Sequence, residues 1–298
     1  NIASDNVEIR VGEIALSTFT QNIASSGTAT GYYKASGVVE NGDIGASYEL
    51  TQIDFEQGSS IDLVKEDGSD DELAVALTGT GTISINGNVT INNTYSPESE
   101  LAHDAEAFSG AYNVTAGSKL TLSGYGKANV DINLQSGAGV VAGVVIASDQ
   151  TATINANLSG GGKVEFAGGK NALTLTLTGN STLQSGSALV SQNTNDRIVL
   201  SDGASLVLGG TNAALKEYNG VIALSEHSTL ELHEESSPNP VNLDQVDSVA
   251  NGNGTVNLAS GTYEITSASN YTGAWNIQED SRFNLNGIGT KSKLADFN

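Results

Sequence analysis

A short phrase of alternating apolar and polar residues, bounded by glycine, recurs along the chain and limits what the chain can fold into. Residues 203–210 read GASLVLGG, residues 117–124 read GSKLTLSG, and residues 228–232 and 281–287 repeat the pattern. Alternation with a period of two indicates a β-strand with one buried face, and glycine permits the turn that ends it. Because one such unit cannot bury its apolar face alone, the copies must bury it against one another, as in a solenoid.

The spacing of these units suits one rung of a β-helix, which is one circuit of three short strands. Intervals in the low to mid twenties separate the apolar centres Ile132, Ile154 and Leu175, and likewise Leu183, Leu206 and Leu230. Leucine-rich repeats share this period, but their Leu-x-x-Leu-x-Leu pattern is not met and helix-forming stretches are scarce. The sequence therefore predicts an all-β parallel β-helix whose inward Leu, Ile and Val stack and whose outward Thr, Asn and Ser form polar ladders.

The organisation predicted from this pattern is a single domain over residues 1–298 with irregular parts. Residues 1–47 are glycine-broken and predict a cap or irregular first rungs, which repeat arrays need at an exposed end. Residues 92–110 include Ser96 and Pro97 before helix-favouring residues, and they predict a loop or short helix inserted at the side of the solenoid. Residues 251–298 are expected to form the C-terminal rungs.

Charge and composition exclude several classes of function. The chain has 12 basic and 34 acidic residues, a formal net charge of −22, and no cysteine. Nucleic acids and anionic membrane surfaces are polyanions that such a chain repels, so neither is an expected partner. Without cysteine there is no disulfide, thiolate nucleophile or Cys-based zinc site. The absence of an initiator methionine predicts a processed chain whose signal peptide is already removed.

The C-terminal third resembles a known family in its succession of motifs. Residues 253–258 (NGTVNL), 261–265 (GTYEI), 270–277 (NYTGAWNI) and 281–285 (SRFNL) follow one another. An aromatic-Ser/Thr-Gly step before a strand, together with recurring Gly-x-Leu-x-Leu phrases, is similar to passenger domains of Gram-negative type V autotransporters, in particular the self-associating, AIDA-like branch. The protease branch is not resembled, because no Gly-Asp-Ser-Gly motif is present.

This resemblance implies a right-handed parallel β-helix that is exported through the periplasm and the outer membrane. A C-terminal outer-membrane β-barrel, which residues 1–298 do not include, would be joined to it. The implied function is that of an extracellular, cell-surface adhesin without enzymatic activity, which mediates adhesion, autoaggregation and biofilm formation. The partner would be a second copy of the chain on another cell. Two alternatives remain open: a secreted β-helical polysaccharide lyase or hydrolase, and a non-catalytic binder of a host matrix protein or glycan.

An acidic loop is the one stretch that suggests a cation. Asp67, Ser69 and Asp71 alternate like the start of a calcium loop, but Glu72 replaces the required glycine and the distal glutamate is absent. We therefore expect a solvated acidic loop and no cofactor, with Ca²⁺ as the alternative. The candidate interaction residues lie in this loop and in the 92–110 insertion: Asp67, Asp70, Asp71, Glu72, Tyr95, Glu98, Glu100, His103 and Asp104.

Two further patterns resemble parts of a metal site and of a glycosidase active site, but neither contains the full set of residues. His227 and His233, with glutamates beside them, form no second cluster of metal-ligand spacing, so a solvated loop and strand face is the expected role. Residues 193–196 (NTND) are similar to a polygalacturonase motif, but glycoside cleavage needs a paired acid and base that the sequence does not supply around them. No nucleophile elbow or phosphate-binding loop is present.

Overall fold

The structure is a computed structural model that describes residues 10–11, 14–15, 18–40, 43–65, 69–93, 107–123, 126–137, 140–147, 152–235, 237–249, 252–267 and 270–286. The N-terminal strands are β1 (Arg10–Val11), β2 (Ile14–Ala15), β3 (Thr18–Asn22), β4 (Ala29–Glu40), β5 (Asp43–Val64), β6 (Asp70–Asn86) and β7 (Asn88–Asn93). The middle strands are β8 (Ala111–Val114), β9 (Lys119–Ser123), β10 (Gly126–Leu134), β11 (Ser136–Gly137), β12 (Val140–Ala147), β13 (Ala152–Gly160), β14 (Gly162–Phe166), β15 (Leu173–Leu177), β16 (Asn180–Leu183) and β17 (Ala188–Ser191). The remaining elements are β18 (Arg197–Leu200), β19 (Ser205–Gly209), α1 (Thr211–Leu215), β20 (Glu217–Tyr218), β21 (Val221–Leu224), β22 (Thr229–His233), β23 (Val241–Asn242), β24 (Val246–Ser248), β25 (Thr255–Ile265), β26 (Ala274–Ile277) and β27 (Ser281–Leu285).

These strands coil into a parallel β-solenoid with three faces, which confirms the predicted fold class. About eight rungs carry a strand on all three faces. The first face contains residues 52–55, 76–79, 126–130, 152–156, 173–177, 197–200, 221–224 and 246–248. The second face contains residues 59–64, 81–86, 111–114, 131–134, 157–160, 180–183, 205–209, 229–233, 255–260 and 274–277. The third face contains residues 70–75, 88–93, 119–123, 142–147, 162–166, 188–191, 217–218, 241–242, 261–265 and 281–285.

The core is a set of aliphatic columns that run along the solenoid axis. On the first face, register places Ile154 over Leu175, Leu175 over Ile198, Ile198 over Ile222 and Ile222 over Val246, and each is at most 2% exposed. Burial alternates along most strands of the rungs, as in Leu173–Leu177, where the leucines are buried and the threonines half-buried. Each buried aliphatic side chain contributes about 1.5–3 kcal/mol, so the stacking that the repeat predicts also stabilises the fold.

The N-terminal end pairs differently. β3, β4 and the first half of β5 form an antiparallel sheet, with Ala29 opposite Phe55 and Glu40 opposite Asp43. Within residues 1–47, where the sequence predicts a cap or irregular first rungs, the described part contains these antiparallel strands, with residues 23–28 outside any strand. Antiparallel pairing needs only a hairpin, not a repeat, so the sequence period does not reveal it. β4 occupies the edge of β5 over residues 43–55, next to the first parallel rung.

A single helical turn interrupts the β structure. α1 (Thr211–Leu215) lies at the corner between the second and third faces, and Gly210 precedes it in the left-handed conformation. Within the described residues, no helix is both long enough and apolar enough to cross a membrane. The predicted insertion at 92–110 lies largely outside the described residues, which resume at residue 107.

Candidate interaction face

The described acidic residues of the predicted interaction loop, Asp70, Asp71 and Glu72, lie at the start of a third-face strand, and each has a hydrogen-bond or ion-pair neighbour. The Lys119 ammonium lies 3.3 Å from an Asp70 carboxylate oxygen, and both side chains are well exposed. The Asp71 carboxylate accepts the backbone N–H of Glu72 at 3.0 Å, and the Asn92 amide donates to Glu72 at 3.3 Å. Asp67, Tyr95, Glu98, Glu100, His103 and Asp104 lie outside the described residues. Among described residues, no group of three or more His, Cys, Asp or Glu is placed to hold a metal ion.

The two described histidines occupy separate places. His227 lies at an exposed corner with its Nδ1 atom 3.0 Å from an Asp202 carboxylate oxygen, while His233 ends a second-face strand 2.6 Å from Glu231. The hydrogen bond that the His227 ring donates to the Asp202 carboxylate, and the charge of Glu226, raise the pKa of His227 above its usual value. Each histidine pairs with its own carboxylate, and the structure does not bring the two together.

The residues similar to a polygalacturonase motif have a structural role in the described fold. The Asp196 side chain is 1% exposed. One carboxylate oxygen accepts the backbone N–H of Leu173 in the preceding rung at 2.9 Å, and the other accepts the Ser191 hydroxyl at 2.7 Å. Asn193 donates its amide to the carbonyls of Gly169 and Asn171. These bonds tie one corner to the corner of the rung before it.

Over six rungs, from residues 81–86 to residues 205–209, the outward side of the second face carries mostly polar side chains, here called the polar face. Strand alternation directs the members outward, since the residues between them are buried. The members are Thr82, Ser84, Ala111, Asn113, Asp131, Asn133, Asn157, Ser159, Asn180, Thr182, Ser205 and Val207. Rungs spaced about 4.8 Å apart make this face roughly 25 Å long.

Hydrogen bonds join the polar face from rung to rung. The Ser159 hydroxyl donates to the Asn133 side-chain oxygen at 2.5 Å, and the Asn133 side-chain amide donates to the Asn113 side-chain oxygen at 2.8 Å. In a neighbouring column the Asn157 amide donates to Asp131 at 3.0 Å. Further along, the Ser205 hydroxyl donates to Asn180 at 2.8 Å. These bonds restrict amide and hydroxyl rotation, so the face presents a fixed pattern of donors and acceptors.

The polar face is also nearly uncharged in a strongly acidic chain. Asp131 is its single ionisable member, and that carboxylate accepts a hydrogen bond from Asn157. Asp62 and Glu231 lie on the outward side of the second face, one rung beyond each end of the polar face. Other described acids lie on the third face, as with Glu165, or at corners, as with Asp202 and Glu226. A second acidic molecule therefore meets little repulsion at the middle of the polar face.

Sequence reasoning predicts outward ladders of Asn, Thr and Ser but does not identify these residues as a site. Outward polar residues on strands are ordinarily solvated, and the ladder appears only when rungs are aligned in register. The usable signal is the position of Asn113, Asn133 and Asn157 one residue before or after an inward aliphatic residue. Comparison of the chain with protein-family models, with curated proteins and with solved structures finds no match.

Proposed function

We propose that this chain is a bacterial cell-surface adhesin that mediates self-association, with the polar face of one copy paired to the polar face of a copy on another cell. The observation that carries the proposal is the near absence of charge on this face in a chain of net charge −22. The motif resemblance to autotransporter passenger domains supports export to the extracellular side of the outer membrane. A parallel β-solenoid is the fold which that resemblance implies.

The hydrogen-bonded ladder supports recognition between flat surfaces. Ordering a rotamer-rich side chain at an interface costs about 0.5–1.5 kcal/mol. The Asn133 and Asn157 amides are already held by Asn113 and Asp131, so less of this cost falls on association. Each pairing contributes a weak contact, and many chains on facing cells add such contacts as avidity.

Electrostatics predicts how this association responds to salt. Two chains of net charge −22 repel each other over a distance that depends on ionic strength. The Debye length falls from about 30 Å at 0.01 M salt to about 10 Å at 0.1 M salt. Clumping of cells that display the chain is therefore expected to increase with added salt.

The test is sedimentation of bacteria that display the chain, with an isosteric charge added on one face at a time. Asn133→Asp places a carboxylate on the polar face and removes the amide donor to Asn113. Asn88→Asp adds the same charge on the third face, where register places Asn88 between Asp70 and Lys119. We expect the first variant to abolish clumping and the second to retain it.

A second matched pair separates charge from loss of the ladder. Thr182→Asp changes an exposed member of the polar face that is not among the hydrogen-bond partners of Asn133, and Thr121→Asp changes an outward threonine of the third face. Equal surface display and an intact circular dichroism spectrum are required of all four variants. Clumping that decreases with salt, or that falls equally in both members of each pair, rejects the polar face as the contact.

A further inference from the structure

Three Asn–Gly pairs have both residues described: Asn86–Gly87, Asn219–Gly220 and Asn253–Gly254. In such a pair the glycine backbone nitrogen attacks the asparagine side-chain carbonyl carbon. A new carbon–nitrogen bond closes a cyclic imide as the bond to the side-chain nitrogen breaks and ammonia leaves. One water then opens the imide to aspartate or isoaspartate. Water is the only co-reactant. The rate of deamidation therefore depends on how freely the glycine nitrogen reaches the asparagine side-chain carbonyl carbon.

At Asn86–Gly87 the structure holds both reacting groups. The Gly87 N–H donates to the Ser118 hydroxyl oxygen at 2.8 Å, and Ser118 is only 4% exposed. Ser118 lies 2.7 Å from the Thr115 hydroxyl, which is 3.5 Å from the Asn86 side-chain oxygen. The Asn86 carbonyl accepts the Lys65 N–H at 2.7 Å. Attack by the Gly87 nitrogen requires the bond to Ser118 to break first.

At Asn219–Gly220 the corresponding restraint is missing. Asn219 is exposed and lies outside any strand, and its own N–H donates to the Ser191 carbonyl at 3.1 Å. Among the described residues, the Gly220 N–H has no hydrogen-bond acceptor. The nitrogen that would attack is therefore free of the bond that Gly87 makes.

We propose that Asn219 is a site of spontaneous deamidation and that Ser118 keeps Asn86 closed to the same reaction. Deamidation of Asn219 adds one negative charge at the corner that precedes β21, and the isoaspartate product also lengthens the backbone there. Asn219 lies after a third-face strand, away from the polar face, so its deamidation stands independently of the proposed self-association.

The experiment is peptide mapping by mass spectrometry after incubation of the folded protein in mildly alkaline buffer. In the wild-type chain we expect the peptide containing Asn219 to acquire the mass increase of an amide-to-acid conversion while the peptide containing Asn86 retains its mass. Ser118→Ala should raise the rate at Asn86 by about threefold to tenfold, the rate equivalent of one neutral hydrogen bond.

Ser187→Ala is the matched control. Ser187 is also buried at a corner and accepts the N–H of Gly162 at 3.2 Å, but the residue before that glycine is Gly161. This variant should leave the rate at Asn86 unchanged. Conversion of Asn86 as fast as Asn219 in the wild-type chain overturns the proposal whether or not the variants fold. An unchanged rate at Asn86 in folded Ser118→Ala overturns it as well.

Discussion

The interior of the solenoid and its corners solve different physical problems. In the first-face column from Ile154 to Val246 every inward side chain is aliphatic and nearly inaccessible, so successive rungs are interchangeable. The corners differ from rung to rung. Gly203 has a φ of 72° at one corner, His227 has a φ of 54° at the equivalent corner of the next rung, and Asp196 is buried at another.

The difference teaches which parts of a repeat fold are set by the period. Apolar burial is non-directional, so any aliphatic residue at an inward position stacks on its neighbours. A corner must instead satisfy backbone N–H and C=O groups that leave the sheet ladder, and each hydrogen bond is directional. Asp196 and Asp244 do this with carboxylates, whereas Ser118 and Ser187 do it with hydroxyls.

The largest expected effect tests the interior. Leu175→Ala removes a side chain that is fully buried between Ile154 and Ile198, and it should lower the free energy of unfolding by about 3 kcal/mol through lost burial and the cavity left behind. Thr176→Ala changes the adjacent outward residue and should cost about 0.5 kcal/mol or less. Urea denaturation measures both. Equal losses would show that inward stacking is not what stabilises the rungs.

The next effect compares two corner glycines. Gly160 has a φ of 93°, and a Cβ atom there would collide with the Leu134 carbonyl oxygen of the preceding rung. Gly203 has a φ of 72° but no heavy atom within 4 Å of a Cβ position. Gly203→Ala should therefore cost about 1–2 kcal/mol from the left-handed backbone alone. Gly160→Ala should cost more, because the clash adds to that strain.

Thermal and urea unfolding of the two glycine variants separates backbone strain from crowding. A wild-type-like Gly203→Ala would mean that the corner relaxes out of the left-handed region. Equal costs for the two variants would mean that the stacked corner moves away from Leu134.

A smaller effect concerns pH at the corner formed by Asp244. Burial alone raises the pKa of Asp244, but hydrogen bonds from the Thr266 hydroxyl, the N–H groups of Thr266 and Ser267, and the Asn242 amide outweigh it and lower the pKa to about 2. Since the folded-state pKa lies below the unfolded value of about 3.9, the stabilisation is present above pH 4 and is lost as pH falls towards 2.

Asp244→Asn is therefore expected to cost about 1 kcal/mol near neutral pH, after reduction for solvent screening of this partly exposed group. The difference from the wild-type chain should shrink as the pH of the urea titration falls from 4 to 2. Thr266→Val, which removes one donor, should show the same trend with a smaller amplitude. A constant difference across this range contradicts the assigned hydrogen bonds.

The interior and the faces follow from the sequence, and the corners do not. The separation of Ile132, Ile154 and Leu175 predicts which strands stack, because the same apolar centre must return to the same face. Nothing in the period predicts that Asp196 is buried, since its partners Leu173 and Ser191 become neighbours only after coiling. The antiparallel pairing of β3 with β4 and of β4 with β5 follows no sequence repeat, so the period does not predict it.

The candidate site likewise has a part that the sequence predicts and a part that it does not. An outward polar ladder follows from alternation, but the choice of the second face depends on where charge is absent, which requires the register of every rung. The predicted acidic loop depends on local composition alone, and its described members Asp70, Asp71 and Glu72 are partnered on the third face. Composition locates charge along the chain, whereas the solenoid distributes it among three faces.

The smallest expected effect is a gain in stability, whereas each of the other substitutions is expected to lower stability. His227 is the one described non-glycine residue with positive φ, at the corner position that Gly203 occupies one rung earlier. Its left-handed backbone is strained for a residue with a Cβ atom, so His227→Gly should raise the melting temperature slightly, where Gly203→Ala lowers it. The hydrogen bond to Asp202 raises the pKa of His227, so the protonated ring favours the folded state below the unfolded value of about 6.5. That contribution is lost as pH rises through the folded-state pKa. The gain from His227→Gly should therefore be larger in alkaline than in acidic buffer, and a loss of stability at both pH values would show that the Asp202 contact outweighs the backbone strain.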